Sequence, residues 1–151
     1  MLTRTIHYRK VNAMGGYKSL NHAKFRIRYH LIFSTKYRQQ CLVGIEQSVE
    51  QVFRDIGDMS EFDVVEVGVD KDHAHLVVSS KPTVAPVDIV RRLKQISVHR
   101  LWKLHHDHLS QFFWGKRRGS TVWTGGYFCE TIDPVQEGTI LNYVKNQGKA
   151  K

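Results

Sequence analysis

Cysteine is nearly missing: Cys41 and Cys129 are the only two in 151 residues. They stand far apart and make neither a disulfide framework nor a zinc-knuckle spacing, so a reducing cytosol is the expected compartment. No run approaches the ~20 apolar residues of a membrane span. Met1 to Lys10 is polar and basic, without the apolar stretch of a signal peptide. Acidic residues are also in short supply: Lys plus Arg is 23 and Asp plus Glu 14, a net charge of +9. That surplus on a small chain points to a polyanionic partner, nucleic acid or an anionic membrane surface. Repeats and long internal linkers are absent too. With 41% apolar and 25% charged residues, the chain has enough core for one domain and is short for two.

Residues 1–23 read as a basic arm carrying Arg4, His7, Arg9, Lys10, Lys18 and His22, broken at Gly15-Gly16. The domain is expected over 24–148. KFRIRYHLIFS at 24–34 alternates strictly. Phe25, Ile27, Tyr29, Leu31 and Phe33 share one face, and Lys24, Arg26, Arg28 and His30 the other, as in a strand whose basic face is exposed. Ile45, Val49, Val52, Phe53 and Ile56 have helical spacing over 45–59. FDVVEVGV at 62–69 and HAHLVVS at 73–79 flank a turn at Asp70–Asp72 and predict a hairpin. A second helix is predicted over 87–106, with Val87, Val90, Leu93, Ser97, Leu101 and Leu104 inward. A loop at 110–125 and a strand at 126–132 follow. Asp133-Pro134-Val135-Gln136 then starts a last helix, with Asp133 as its cap and Gly148 as its stop. The order β-α-β-β-α-β-α is the split βαβ, ferredoxin-like α+β pattern with one helix added. It predicts an antiparallel sheet with two helices on one face and the other face free for a site.

His73 and His75 lie two apart on a predicted strand, so both imidazoles leave the same face while Ala74 and Leu76 pack behind. Neutral ring nitrogens suit a divalent metal, and Asp72 could hold one ring in its tautomer. Exposed polar histidines are the plain alternative. Tyr143 and Gln147 are i and i+4 on the last helix, with Asn146 nearby. An oriented tyrosine hydroxyl can be a nucleophile, although a surface-edge aromatic would look the same. On the second helix Arg91, Gln95, His99 and Lys103 form a polar stripe, with Arg92 beside it. In the loop, Phe112, Phe113, Trp114 and Trp123 surround Lys116, Arg117 and Arg118. Aromatics among cations suit unpaired bases and their phosphates. Arg26, Arg28, Arg91, Arg92, His99, Lys116, Arg117, Arg118 and Trp123 are therefore the candidate DNA contacts. The cluster His105, His106 and His108 is read as structural or solvated.

These landmarks resemble a known family. Asp72-His73-Ala74-His75-Leu76 resembles the His-hydrophobic-His (HUH) motif, and Tyr143-Val144-Lys145-Asn146-Gln147 the tyrosine helix of single-tyrosine HUH transposases. Those are the enzymes of small insertion sequences that move as single-stranded DNA. YHLIFSTKYRQQ at 29–40 and FWGKRRGSTVWTGGYFCETI at 113–132 agree. The resemblance covers about residues 25–148, in family order. It implies His73, His75 and Gln147 as ligands of Mg²⁺ or Mn²⁺, with Asp72 and Asn146 behind them. It implies Tyr143 as the nucleophile, a 5′-phosphotyrosine intermediate with a free 3′-hydroxyl, DNA hairpins as substrates, and a homodimer that often pairs one subunit's tyrosine with the other's histidines. The chain departs from the pattern in the small Ala74 and in the long N-terminal arm. Other readings are a non-catalytic binder of single-stranded or hairpin nucleic acid, a metal-dependent hydrolase, or a relative acting on repeated extragenic palindromes.

Overall fold

The alternating stretch at 24–34 folds as two pieces. In the computed structural model, which describes residues 17–20 and 22–149, Lys18–Leu20 (β1) and Ala23–Phe25 (β2) make a short antiparallel hairpin. Ile27–Ser34 (β3) then enters the main sheet. The expected arm thus runs into a strand at Lys18, while its residues 1–16 and 21 lie outside the described residues. Asp63–Val69 (β4), His73–Ser80 (β5) and Phe128–Thr131 (β6) complete the sheet in the order β4-β5-β3-β6, every neighbour antiparallel. Glu46–Asp58 (α1) and Pro86–Leu104 (α2) are the two crossover helices. His106–Ser110 (α3) and Glu137–Lys145 (α4) are additions. The ferredoxin-like α+β arrangement is present.

Strand parity sorts the two faces. Leu31 and Phe33 of β3 and Ala74, Leu76 and Val78 of β5 point one way, onto Val49, Phe53 and Ile56 of α1 and Val90, Leu93 and Leu101 of α2. Phe33, Phe53 and Trp123 meet at ring-centroid separations of 5.7–6.0 Å. Burying side chains of this size stabilises by about 2–3 kcal/mol each. The inward stripe of α2 differs in part from expectation. Ile89, Val90, Leu93, Ser97, Leu101 and Trp102 are buried, whereas Val87 and Leu104 are exposed. Val87 stands in the first helical turn, and Leu104 is the last helical residue, where the chain bends into α3.

The other face is roofed by α4. Val144 packs on Val77 and Ile132, flanked by Ile140 and Leu141. Asp133 Oδ1 accepts a hydrogen bond from the Gln136 amide at 2.9 Å, the capping contact expected, but it closes a turn ahead of the helix, which begins at Glu137. Two glycines let α4 come close. A Cβ on Gly68 would strike the Val144 carbonyl and stand 2.8 Å from Gln147 Cβ. Gly148, with φ of +74°, turns the chain back over Val69 where the helix stops.

Candidate active site

The docking of α4 brings the sequence-predicted groups together. His73 and His75 leave β5 on the roofed face, their ring centroids 5.0 Å apart. The Tyr143 ring stands edge-on over His75 at 5.4 Å. After Lys145 the chain tightens, the Gln147 amide N–H bonding to the Val144 carbonyl. This tucks Gln147 under the helix while Tyr143 stays 56% exposed above. Gln147 Nε2 donates to Asp70 Oδ2 at 3.1 Å and lies 3.4 Å from His73 Nε2. An open cleft of about 1020 Å³ borders Asp70, Tyr143, Asn146, Gln147 and Lys149.

Each histidine is held by its other nitrogen. His73 Nδ1 bonds to Asp72 Oδ1 at 2.7 Å, as the sequence suggested. Arg38 Nε donates to the same carboxylate's Oδ2 at 3.0 Å. Burial pushes Asp72 up, but the bonds from His73 and Arg38 outweigh it and hold the carboxyl below its ordinary value. Asp70 is lowered chiefly by the Lys71 backbone N–H, with help from Gln147 and His73 against its burial. His75 Nδ1 lies 3.0 Å from Nε2 of His30, whose Nδ1 lies 3.1 Å from Glu130 Oε1. Burial, and then the neighbouring His30 and His73, push the His75 pKa down to about 4. Among the described residues no three His, Cys, Asp or Glu side chains form a metal-ligating group by themselves. The cluster here is two imidazoles with an amide and a carboxylate at their side.

Several expected placements are corrected. Arg26 and Arg28 do not line an open basic face. Their side chains are 5% and 15% exposed and both pair with Glu137, tying the start of α4 to the sheet. His30, read as exposed, is buried in the site. Trp123 is a core residue whose indole N–H bonds to Ser97 Oγ at 2.9 Å, so it offers no stacking surface. Arg91, Arg92 and His99 are exposed, but on α2, across the sheet from the histidines. Asn146 bonds to Asn142 at 3.2 Å rather than to a ligand candidate. Lys116, Arg117 and Arg118 are exposed as expected. Arg117 donates to the Tyr37 hydroxyl at 2.7 Å and stacks on that ring at 4.9 Å. Tyr37 precedes Arg38, so the basic loop adjoins the corner that bears on Asp72. Both corner residues take positive φ, 58° and 51°, a strained conformation for side chains of this size. The structural reading of the other histidines holds: His105 bonds to Ser48 and His108 to the Cys41 carbonyl, each at 2.7 Å.

Sequence reasoning missed Glu130, Asp70 and Arg38 as site residues and Gly68 as a docking point. Cross-strand register alone gives Glu130, which sits directly opposite His30. The loop residues and the glycine carry no local signal.

A ferredoxin-like sheet with an HUH pair on a central strand and a tyrosine helix laid over it defines an HUH-type tyrosine transposase fold. The chain belongs to the IS200-like transposase family, whose pattern it matches over residues 23–147. It is 31% identical over 124 residues to the ISDra2 transposase TnpA of Deinococcus radiodurans, covering 82% of this chain and 85% of that one. It is 26% identical over 135 residues to the transposase of insertion sequence IS200 from Salmonella typhimurium, with 89% and 85% covered. A crystal structure of a Deinococcus radiodurans transposase superposes with a TM-score of 0.68 at 28% identity, covering 88% of this chain and 99% of that one. A REP-associated tyrosine transposase bound to a REP hairpin shares the fold, with a TM-score of 0.54 at 11% identity over 83% and 70% of the chains. Family membership carries DNA cleavage and strand transfer with it. No helix among the described residues is long and apolar enough to cross a membrane.

Proposed function

We propose that this transposase cleaves and rejoins single-stranded DNA at insertion-sequence ends, with Tyr143 as the nucleophile. The observation that carries the proposal is the Tyr143 ring set against His75, beside His73 and Gln147. The Tyr143 oxygen forms a bond to the scissile phosphorus as the bond to the 3′-oxygen breaks. The phenolic proton is lost to solvent and the departing 3′-oxygen takes one up. The products are a 5′-phosphotyrosine and a free 3′-hydroxyl. Attack of such a hydroxyl on a phosphotyrosine reverses the exchange and joins strands, one phosphodiester replacing another, so no nucleotide cofactor is consumed.

The donor set fits a divalent ion. With Nδ1 of each histidine engaged, both Nε2 atoms are left as ligands. His73 Nε2, Gln147 Nε2 and Asp70 Oδ2 form a triangle with sides of 3.1, 3.4 and 3.9 Å. With an ion bound, a half-turn of the Gln147 amide would give up its bond to Asp70 and present the amide oxygen instead. His73, His75 and Gln147 would hold Mg²⁺ or Mn²⁺, with Asp70 against the same space. The ion would polarise the phosphate and neutralise developing charge. DNA hairpins and a homodimer complete the proposal. Lys149 borders the cleft itself, and the exposed Lys116–Arg118 loop is joined through Tyr37 to the Arg38 corner.

The test is incubation with single-stranded hairpin DNA and Mg²⁺ followed by a denaturing gel. A covalent protein–DNA adduct supports the proposal. Cleavage without an adduct indicates a hydrolase, and a mobility shift without cleavage indicates a binder.

A further inference from the structure

We propose that Glu130 and His30 are positioning residues that fix the tautomer of His75, and so decide which of its nitrogens faces the reaction. This rests on the reading of His75 as a metal ligand. The three side chains run across three strands on the face under α4. Glu130 of β6 is the direct cross-strand partner of His30 on β3, and His75 of β5 lies diagonal to it, opposite Ile32. His30 and His75 are 6% and 4% exposed. Their ring planes lie within 23° of each other, and the Phe128 ring meets His30 edge-on. This packing leaves the imidazoles little freedom to turn.

Donor and acceptor logic then runs one way. A carboxylate only accepts, so His30 Nδ1 carries the hydrogen at its contact with Glu130. A neutral His30 therefore has a lone pair on Nε2. His75 Nδ1, 3.0 Å away, must supply the hydrogen to that contact. His75 is left with its own lone pair on Nε2. The opposite assignment would need a second hydrogen on His30, with Glu130 as its counter-charge. His73 reaches the same state in one step, because Asp72 accepts directly from its Nδ1. Each candidate ligand thus has a carboxylate behind it, and for His75 the instruction passes through His30.

The experiment uses full-length protein labelled with ¹⁵N-histidine and free of metal, so the tautomer is read independently of activity. Long-range ¹H–¹⁵N spectra should show His75 protonated on Nδ1. His30→Leu removes the acceptor and should move His75 toward the Nε2-protonated form. Its Mn²⁺ affinity, read from the free ion by electron paramagnetic resonance, should fall about 10–100-fold. His30→Gln supplies a side-chain oxygen that accepts from His75 Nδ1, and should restore both readouts. Glu130→Ala, at a half-exposed position, gives an intermediate effect and serves if His30→Leu does not fold. The inference is overturned if wild-type His75 carries its proton on Nε2, or if His30→Leu and Glu130→Ala leave tautomer and affinity unchanged. If the tautomer responds as stated but wild-type protein does not bind Mn²⁺, the positioning stands and the metal reading fails.

Discussion

Tyr143 contributes one oxygen and little packing, since its ring is more than half exposed. Tyr143→Phe should abolish the covalent adduct while leaving melting temperature and hairpin binding near wild type. A DNA-linked tryptic peptide carrying Tyr127 instead would move the nucleophile. His73→Ala or His75→Ala should abolish cleavage with hairpin affinity little changed, because the proposed ligands would serve the phosphate and the basic surface would serve affinity. Gln147→Ala should be milder, since water replaces a neutral ligand. Wild-type cleavage by His75→Ala in Mg²⁺ would defeat the metal assignment. His75 also gives a pH prediction. Folded, it takes a proton only near pH 4, whereas its ordinary value is 6.5. Between those values the unfolded chain binds more protons, so the stability of metal-free protein falls as pH drops from about 6.5 to about 4. Thermal melts across that range should show the decline, and His75→Gln should lessen it, the remainder including His105, which burial also lowers. A wild-type melt independent of pH there would contradict the burial argument.

The element that decides the site is α4, and its seat depends on a glycine and a buried ionic cluster. Gly68→Ala puts a methyl against the Val144 carbonyl of α4 and against Gln147 in the turn that follows it. Displacing the helix should cost about 1–3 kcal/mol, the usual cost of overpacking, and should remove the adduct while hairpin binding survives. Gly125→Ala, with open space around its Cβ position, is the matched control. Glu137→Ala strands two buried guanidinium groups, a change worth about 3 kcal/mol or more. Hydrogen exchange should then quicken in α4 before the β3–β5 core responds. Uniform protection in Glu137→Ala would show that the apolar contacts of Val144 suffice.

Across the whole molecule, the helical layer and the site occupy opposite faces of one sheet, and α4 joins that sheet through the short segment from Asp133 to Gln136. In this chain α4 lies on its own sheet. A partner's α4 would meet identical contacts, so an exchange between subunits of a two-fold dimer costs nothing in contact chemistry. The exchanged form belongs to the proposed homodimer, as the resemblance implies. Mixing Tyr143→Phe protein with a His73→Ala, His75→Ala protein should then restore cleavage to at most about a quarter of wild-type sites, since half the dimers are mixed and one site in each is whole. Background cleavage, with exchange verified by tagged subunits, would mean that each chain keeps its own helix. Binding should be selective for single strands or hairpins over plain duplex. For roughly five phosphates neutralised, the slope of log affinity against log salt should be about −3.5. Equal affinity for duplex of the same sequence would remove the single-strand reading.

Much of this was legible along the chain, because it depends on local period. Alternation in β3 and β5, the 3.6-residue stripe of α1 and the turn at Asp70–Asp72 follow from side-chain direction and backbone sterics. The parity of His73 and His75 is a property of any strand, whereas Tyr143 and Gln147 are singled out by the resemblance, and Gln147 meets the histidines not through a shared helix face but because α4 ends at Lys145 and the chain tightens after it. What the period cannot show is the cover on each face. Arg26, Arg28 and His30 alternate as an exposed basic face would, yet α4 comes from more than a hundred residues later to lie over them, and Glu137 arrives with it. Trp123 sat among cations in sequence and in the core in space. The roles assigned to His30 and Glu130 exist only through the register of three strands, in which a buried imidazole must find a partner on a neighbouring chain segment. Local sterics therefore set the elements and the direction of each side chain, and the docking of α4 decided which of those side chains face one another.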